Sequence, residues 1–151
     1  MPFLDLLSVE RVRTDLAARD KNDLIEQLAA LLAGSADAGA VRDALRARER
    51  LGGTGLGHGV AIPHGRSSAV EQASAAFVRL ATPIDFGADD GIAVDLVAVL
   101  LVPAHFTDQH LKLLAELAEL FSDGEVTTAL RAATDPAALL ATLRGALRAN
   151  A

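Results

Sequence analysis

Apolar residues return at helical spacing twice in the first third of the chain. Leu24, Ile25, Leu28, Leu31 and Leu32 follow the i, i+4, i+7 rhythm of an amphipathic helix. Asp20, three residues before Asp23, suits its N-cap, and Gly34 suits its end. Val41, Leu45 and Leu51 line one side of a second helix, expected over Ala40–Leu51. Arg42, Arg46, Arg48 and Arg50 occupy its other sides, and glycines from Gly52 onward stop it. The pattern then changes. Ser74–Leu80 is small and apolar, ends in Phe77-Val78-Arg79-Leu80, and predicts a strand. Pro83 and Gly87–Gly91 mark turns. Ile92–Val102 is almost continuous in Val, Leu and Ala, which predicts a strand buried on both faces and ended by Pro103. Leu111, Leu114, Ala115, Ala118 and Phe121 restore helical spacing and predict a helix over Thr107–Ser122. A short helix is expected over Glu125–Ala132. Asp135-Pro136, an N-cap with proline at N1, opens a last helix running to about Arg148.

Strands alternating with helices, one of them buried on both faces, predict a layered α/β domain. A length of 151 residues fits one domain, and no repeat, linker or low-complexity tail divides it. A net charge of −6 argues against a nucleic-acid or anionic-membrane binder, because both need a positive field. The longest apolar run, Leu96–Ala104, falls well short of the roughly 20 residues of a membrane span. Met1-Pro2-Phe3-Leu4-Asp5 carries an early acid and no basic segment, so no signal peptide is expected, and the expectation is a soluble cytoplasmic protein. The absence of cysteine excludes disulfides, thiolate nucleophiles and Cys-ligated zinc.

Chemistry concentrates between Gly52 and Arg66, where six of the chain's 12 glycines fall. Glycine permits positive φ and close backbone approach, so the segment reads as a tight loop with exposed N–H groups, suited to an anion nest. No three glycines stand at i, i+2 and i+5, and no Gly-Lys-Ser/Thr occurs, so neither nucleotide fingerprint is present. His64 lies between Pro63, with its fixed φ, and Gly65, which adds no side-chain bulk beside the imidazole. A neutral imidazole held this way can attack phosphorus and form a covalent intermediate. His110 falls in the first turn of the helix expected from Thr107, where the partial positive charge favours anions. Arg48, at the end of the second helix, can reach a phosphoryl group bidentately. Each feature also has a plainer reading: a structural turn, a loop histidine, a solvated helix face. The residue types alone leave both open. His58 and His105 complete the histidines, but His58-x5-His64 and His105-x4-His110 match no metal-ligand spacing, so neither a metal nor a cofactor is expected.

Arg48-Glu49 followed by Thr54-Gly55-Leu56-Gly57-His58-Gly59-Val60-Ala61-Ile62-Pro63-His64-Gly65 resembles the active-site signature of the mannitol/fructose-type enzyme IIA domains. These domains belong to the bacterial phosphoenolpyruvate-dependent phosphotransferase system. Pro83-Ile84-Asp85-Phe86, Val94-Asp95-Leu96-Val97 and Leu100-Leu101-Val102-Pro103 resemble the family's central strands, and His110-Leu111 with Leu114 its second-histidine helix. The resemblance covers about Ser8 to Arg148 within a single domain spanning 1–151. The Thr-Gly-x-Gly-x-Gly form of the loop and Pro-Ile-Asp-Phe are most similar to the nitrogen-regulatory branch.

The resemblance implies a single-domain mixed β-sheet flanked by helices, and a phosphoryl carrier acting mainly in regulation. It places the phosphorylated histidine at His64, a second active-site histidine at His110 and an active-site arginine at Arg48. It places the phosphate loop at Thr54, Gly55, Gly57, His58, Gly59 and Gly65. The implied partners are an HPr-like phosphocarrier and regulated target proteins or an enzyme IIB, with no nucleic acid and no membrane insertion. Exposed Leu and Val around the His64 loop would receive the carrier or pair two copies of the chain. One position departs: the family usually carries asparagine where this chain has His58, a titratable substitute able to tune the site's pH response or to act as a decoy acceptor. Two other functions stay open, a sugar-transport relay to an enzyme IIB and a binding module that keeps the fold without the chemistry. A metal enzyme is a distant further possibility.

Overall fold

The computed structural model describes residues 3–34 and 36–149. In chain order the elements are β1 (Val12–Leu16), α1 (Lys21–Ala33), α2 (Ala38–Leu51), β2 (Gly55–Gly57), β3 (Val60–Ala61) and β4 (His64–Ser67). There follow β5 (Ser74–Ile84), β6 (Val94–Pro103), α3 (Asp108–Phe121), α4 (Gly124–Ala132) and α5 (Pro136–Ala149). Two short 3-10 turns, Phe3–Leu6 and Val9–Arg11, precede β1.

The six strands form one mixed sheet in the order β1-β5-β6-β3-β2, with β4 also paired to β6. β5 and β6 run antiparallel, while β1 lies parallel to β5, and β3 and β4 lie parallel to β6. The central strand explains its own sequence. Leu96, Ala98, Leu100 and Val102 face one core, where Leu113, Leu117, Leu120, Leu130 and Leu143 of α3, α4 and α5 meet them. Val97, Val99 and Leu101 face the other core, built with Leu24, Leu28, Val41 and Leu45 of α1 and α2. A strand with helices on both faces has no polar side, so its apolar run is continuous.

The expected helices form, with small shifts at their starts. Asp20 caps α1 by accepting from the Asp23 N–H, and Asp135 accepts from the Ala138 N–H at the start of α5. α2 begins two residues before the expected Ala40, because Asp37 accepts from the N–H groups of Gly39 and Ala40.

The strands need more correction. β1 and both 3-10 turns were not expected; β1 is short, and its register shifts after Arg13, where Asp15 takes a left-handed φ of 56°. β5 continues past Leu80 to Ile84, with a register break that admits Pro83. β6 starts at Val94, not Ile92, because the Asp90 carboxylate takes the Ile92 N–H. The segment from Gly52 to Arg66, expected to be a tight loop with exposed N–H groups, folds into β2, β3 and β4.

Candidate functional site

β3 and β4 pair with the same edge of β6, Val60 opposite Leu96 and His64 opposite Leu100, so they form one strand broken at Ile62-Pro63. Proline brings no N–H to a ladder. The Ile62 N–H faces away from β6 and donates to the Thr54 carbonyl at 3.0 Å, beside the β2–β3 pairing of Gly55 with Ala61. The Ile62 carbonyl accepts from Nδ1 of His64 at 2.7 Å. A carbonyl can only accept, so Nδ1 carries the ring's proton and Nε2 keeps its lone pair.

Gly65 was expected to clear space beside the imidazole, but its hydrogen faces α2. A Cβ here would stand 3.1 Å from the carbonyl oxygen of Ala44 and 3.2 Å from its carbonyl carbon. The close approach brings Arg48, one turn beyond Ala44, onto the same groove as His64. Arg48 also donates to the Gly52 carbonyl at 2.8 Å, which holds it at the helix end.

His110 faces His64 from the first turn of α3. The ring centroids are 5.3 Å apart and the planes cross at 81°. Both residues are only 8% exposed, and His110 Nε2 has no hydrogen-bond partner among the described residues. Thr107, at the N-cap of α3, makes no side-chain cap, so its first-turn N–H groups add to the partial positive charge there. The groove is an open cavity of about 830 Å³, with Leu51 and Leu111 on its rim at 85% and 66% exposure. Val60, by contrast, is fully buried, so the apolar rim is made of leucines.

Arg66 also lines the groove and was not singled out from the sequence. The signal was present: residues i and i+2 of a strand share a face, so a strand carrying His64 inward carries Arg66 with it. Both imidazoles are held neutral. Burial lowers the His64 pKa; the Ile62 carbonyl opposes this, Arg48 reinforces it, and Glu49 opposes it. Burial first, then His64, Arg66 and Arg48, push His110 down to about 4. The groove thus offers an imidazole lone pair, a second neutral ring with a free nitrogen, two guanidinium groups and an uncapped helix start. That set suits an anionic electrophile.

Thr54, Gly55, Gly57, His58 and Gly59 do not line this groove, although they were expected beside His64; of the expected loop only Gly65 does. The Thr54 and His58 N–H groups are not free to join an anion nest. Glu49 accepts from the Thr54 N–H and hydroxyl, and Asp90 accepts from the His58 N–H at 2.7 Å. His58 faces a second cavity of about 470 Å³ with Asp95 and Arg131. Arg131 pairs with Asp95 through two nitrogens and donates to the His58 carbonyl at 2.6 Å. His58 has φ of 56°, a region where Asn and His are both enriched, so its backbone accounts for the exchange with asparagine. Gly59, at φ of 79°, has no room for a Cβ, which would stand 2.5 Å from Arg131 Nη2. His105 is exposed and packs edge-on against Phe106, outside the groove. Among the described residues, no three His, Asp or Glu side chains gather where a metal ion could be held. Among them, no helix is long and apolar enough to cross a membrane.

A mixed sheet with helices on both faces, presenting paired histidines in one cationic groove, defines a class of α/β domain. The chain belongs to the family described as phosphoenolpyruvate-dependent sugar phosphotransferase system, EIIA 2, which matches residues 5–145. The nitrogen regulatory protein of Bradyrhizobium diazoefficiens is 40% identical over 145 residues, covering 95% of each chain. The crystal structure of nitrogen regulatory protein IIA-Ntr from Neisseria meningitidis superposes with a TM-score of 0.88 at 38% identity, covering 93% of this chain and 97% of that one. Enzyme IIAMTL, in its complex with phosphorylated enzyme IIBMTL from Escherichia coli, shares the fold, with a TM-score of 0.78 at 23% identity over 92% of this chain and 97% of that one. The expected likeness to the nitrogen-regulatory branch therefore stands, as does the expected fold.

Proposed function

We propose that this chain is a phosphoryl carrier that accepts phosphate on Nε2 of His64 from a phosphohistidine on an HPr-like protein, acting mainly in regulation. The observation that carries the reading is the hydrogen bond from His64 Nδ1 to the Ile62 carbonyl, which leaves the Nε2 lone pair unprotonated. In the transfer, the bond from His64 Nε2 to phosphorus forms as the donor's N–P bond breaks. The electron pair of that bond returns to the donor ring. Nδ1 keeps its proton, so the phosphorylated ring is an imidazolium whose charge the Ile62 carbonyl stabilises. Arg48 and Arg66 neutralise the equatorial oxygens and the neutral His110 ring donates a hydrogen bond to them, so the protein contributes positioning and charge more than covalent chemistry.

Leu51 and Leu111 offer the carrier an apolar landing on either side of the groove. Phosphate there adds a charge of about −2 between two apolar side chains, which changes what that surface can bind. This supports a regulatory role in the cytoplasm, as the nitrogen regulatory relatives suggest, and fits handover to an enzyme IIB equally well in chemistry.

Intact-mass spectrometry near neutral pH, after incubation with phosphoenolpyruvate, enzyme I and an HPr-type carrier, tests the reading. One phosphate on the wild type and none on His64→Ala is the expected result. No phosphate from either of two different carriers overturns it, and loss of the phosphate to an added enzyme IIB would favour the relay role.

A further inference from the structure

We infer that Glu49 is a positioning residue for the reaction, setting the orientation and tautomer of His64 through Thr54 and Ile62. The inference rests on the phosphoryl-carrier reading of His64. Glu49 lies next to Arg48 on α2, but its carboxylate points away from the groove and its side chain is only 5% exposed. It receives the Lys21 ammonium at 2.6 Å and both the N–H and the hydroxyl of Thr54. Thr54 is itself buried, and its carbonyl holds the Ile62 N–H at 3.0 Å. The Ile62 carbonyl then holds Nδ1 of His64 at 2.7 Å, the ring's one hydrogen bond among the described residues. Three links therefore run from a carboxylate on a helix to the imidazole, and each intermediate residue is gripped on both sides.

The arrangement is costly unless something depends on it. A buried carboxylate loses several kcal/mol of hydration, which one ammonium and two donors must offset. Lys21 is tied down in turn, with its ammonium 4.8 Å from the centre of the Phe86 ring. What depends on the arrangement is the Ile62 carbonyl. Its own peptide ends at the Pro63 nitrogen, which has no hydrogen, and the Thr54 contact holds the preceding peptide, so Thr54 acts by fixing the Ile62 backbone from which the carbonyl projects. If Thr54 shifts, the acceptor for Nδ1 shifts, and the proton is free to move to Nε2, which abolishes the nucleophile. Glu49 is also the one charge near His64 that favours the imidazolium formed on phosphorylation, against Arg48. The other charged and titratable groups around the ring are Arg66 on β4 and His110 on α3.

The test is Glu49→Gln in the full chain, with Thr54→Ala as a second variant that removes the hydroxyl link and keeps the helix side chain. Nitrogen-15 NMR of the imidazoles reads the tautomer directly and needs no phosphoryl transfer. The wild type is expected as the Nδ1–H form, with Glu49→Gln showing a mixture of the two tautomers and Thr54→Ala a smaller shift the same way. In the transfer assay, kcat is expected to fall about tenfold to a hundredfold. KM should hold, because Leu51 and Leu111 are untouched. The pH profile of uptake should move as well, which lost stability alone would not cause. A folded Glu49→Gln with the wild-type tautomer, or with wild-type kcat, overturns the inference; if Glu49→Gln does not fold, a wild-type tautomer in Thr54→Ala does the same. If the wild type takes up no phosphate, the carrier reading fails by itself, and the NMR result still decides whether Glu49 orients the ring.

Discussion

Gly65→Ala adds one methyl group where β4 meets α2, and the structure sets the size of the effect. The new carbon would lie 3.1 Å from the Ala44 carbonyl oxygen, where ordinary contacts begin at 3.4 Å. The obstructing atoms belong to helix backbone, so no side-chain rotation relieves the clash and α2 must retreat by about 0.3 Å. Overpacking of this kind costs about 1–3 kcal/mol. The loss of unfolded-chain entropy from Gly to Ala returns about 0.4–1 kcal/mol, because Gly65 is not among the left-handed residues. The net expectation is a loss of about 1 kcal/mol, read by urea denaturation at neutral pH. Transfer should suffer more than stability. Arg48 and Glu49 both ride on α2, and small misplacements of positioning groups cost about tenfold or more in rate. Stability within experimental error of wild type, together with undiminished phosphate uptake, would falsify the claim that Gly65 sets the helix-to-strand distance at the site.

Further expectations follow from the same geometry. Native His110 stays neutral down to about pH 4, whereas the unfolded chain protonates it near 6.5. Between those values the unfolded state holds more protons, so stability falls as pH drops from 6.5 towards 4. The full shift corresponds to ~3 kcal/mol, and solvent screening from the open groove reduces the expected loss to about 1–2 kcal/mol. His110→Gln should flatten that part of the pH–stability curve, and an unchanged slope would refute the assignment. His58→Asn should leave phosphate uptake intact and stability within about 0.5 kcal/mol, because position 58 serves its backbone; loss of uptake in the mass assay would contradict this. Asp20→Ala should cost about 1 kcal/mol by chemical denaturation, through loss of the α1 cap, with no change in uptake. Arg131→Ala removes three contacts to Asp95 and one to the His58 carbonyl, and should raise hydrogen exchange in the β2–β3 turn before it affects α3.

The helices were legible because each carries its own instructions. Asp20, Gly34 and the Asp135-Pro136 pair act within a few residues of the backbone they cap. β6 was legible because burial on both faces leaves Asp95, near its start, as the one polar residue in the run. β1 was not, since Val12-Arg13-Thr14-Asp15-Leu16 is an edge strand with one core residue and a register shift, and only its pairing with Phe77 and Val78 makes it a strand. The glycine segment misled for a related reason. Its glycines indicate freedom and close approach, but not which neighbour makes the approach. Asp90, Arg131 and Ala44, all distant in sequence, decide that. His64, His110 and Arg48 share a groove as expected from the resemblance, whereas Arg66 was visible only through strand alternation and the role of Glu49 only through its hydrogen bonds.

Ile62-Pro63-His64-Gly65 works as a unit because each residue solves a problem set by the next. β3 and β4 keep one register on β6, and the Leu100 N–H bonds the Pro63 carbonyl, so residue 63 faces β6 and the Ile62 N–H and carbonyl face away from it. Proline at 63 withholds only its own donor from β6, and the outward-facing Ile62 carbonyl is left to accept from Nδ1 of His64. Pairing resumes at once, with the Pro63 carbonyl accepting from the Leu100 N–H at 3.1 Å, so the break costs little rigidity. His64 then begins a strand paired directly to β6, which is buried along nearly its whole length. Glycine at 65 lets α2 close on that strand, which brings a guanidinium to the ring without a long side-chain reach. The order of the four residues therefore follows from strand geometry: the acceptor precedes the histidine by two on the side facing away from β6, and the close approach to α2 comes after.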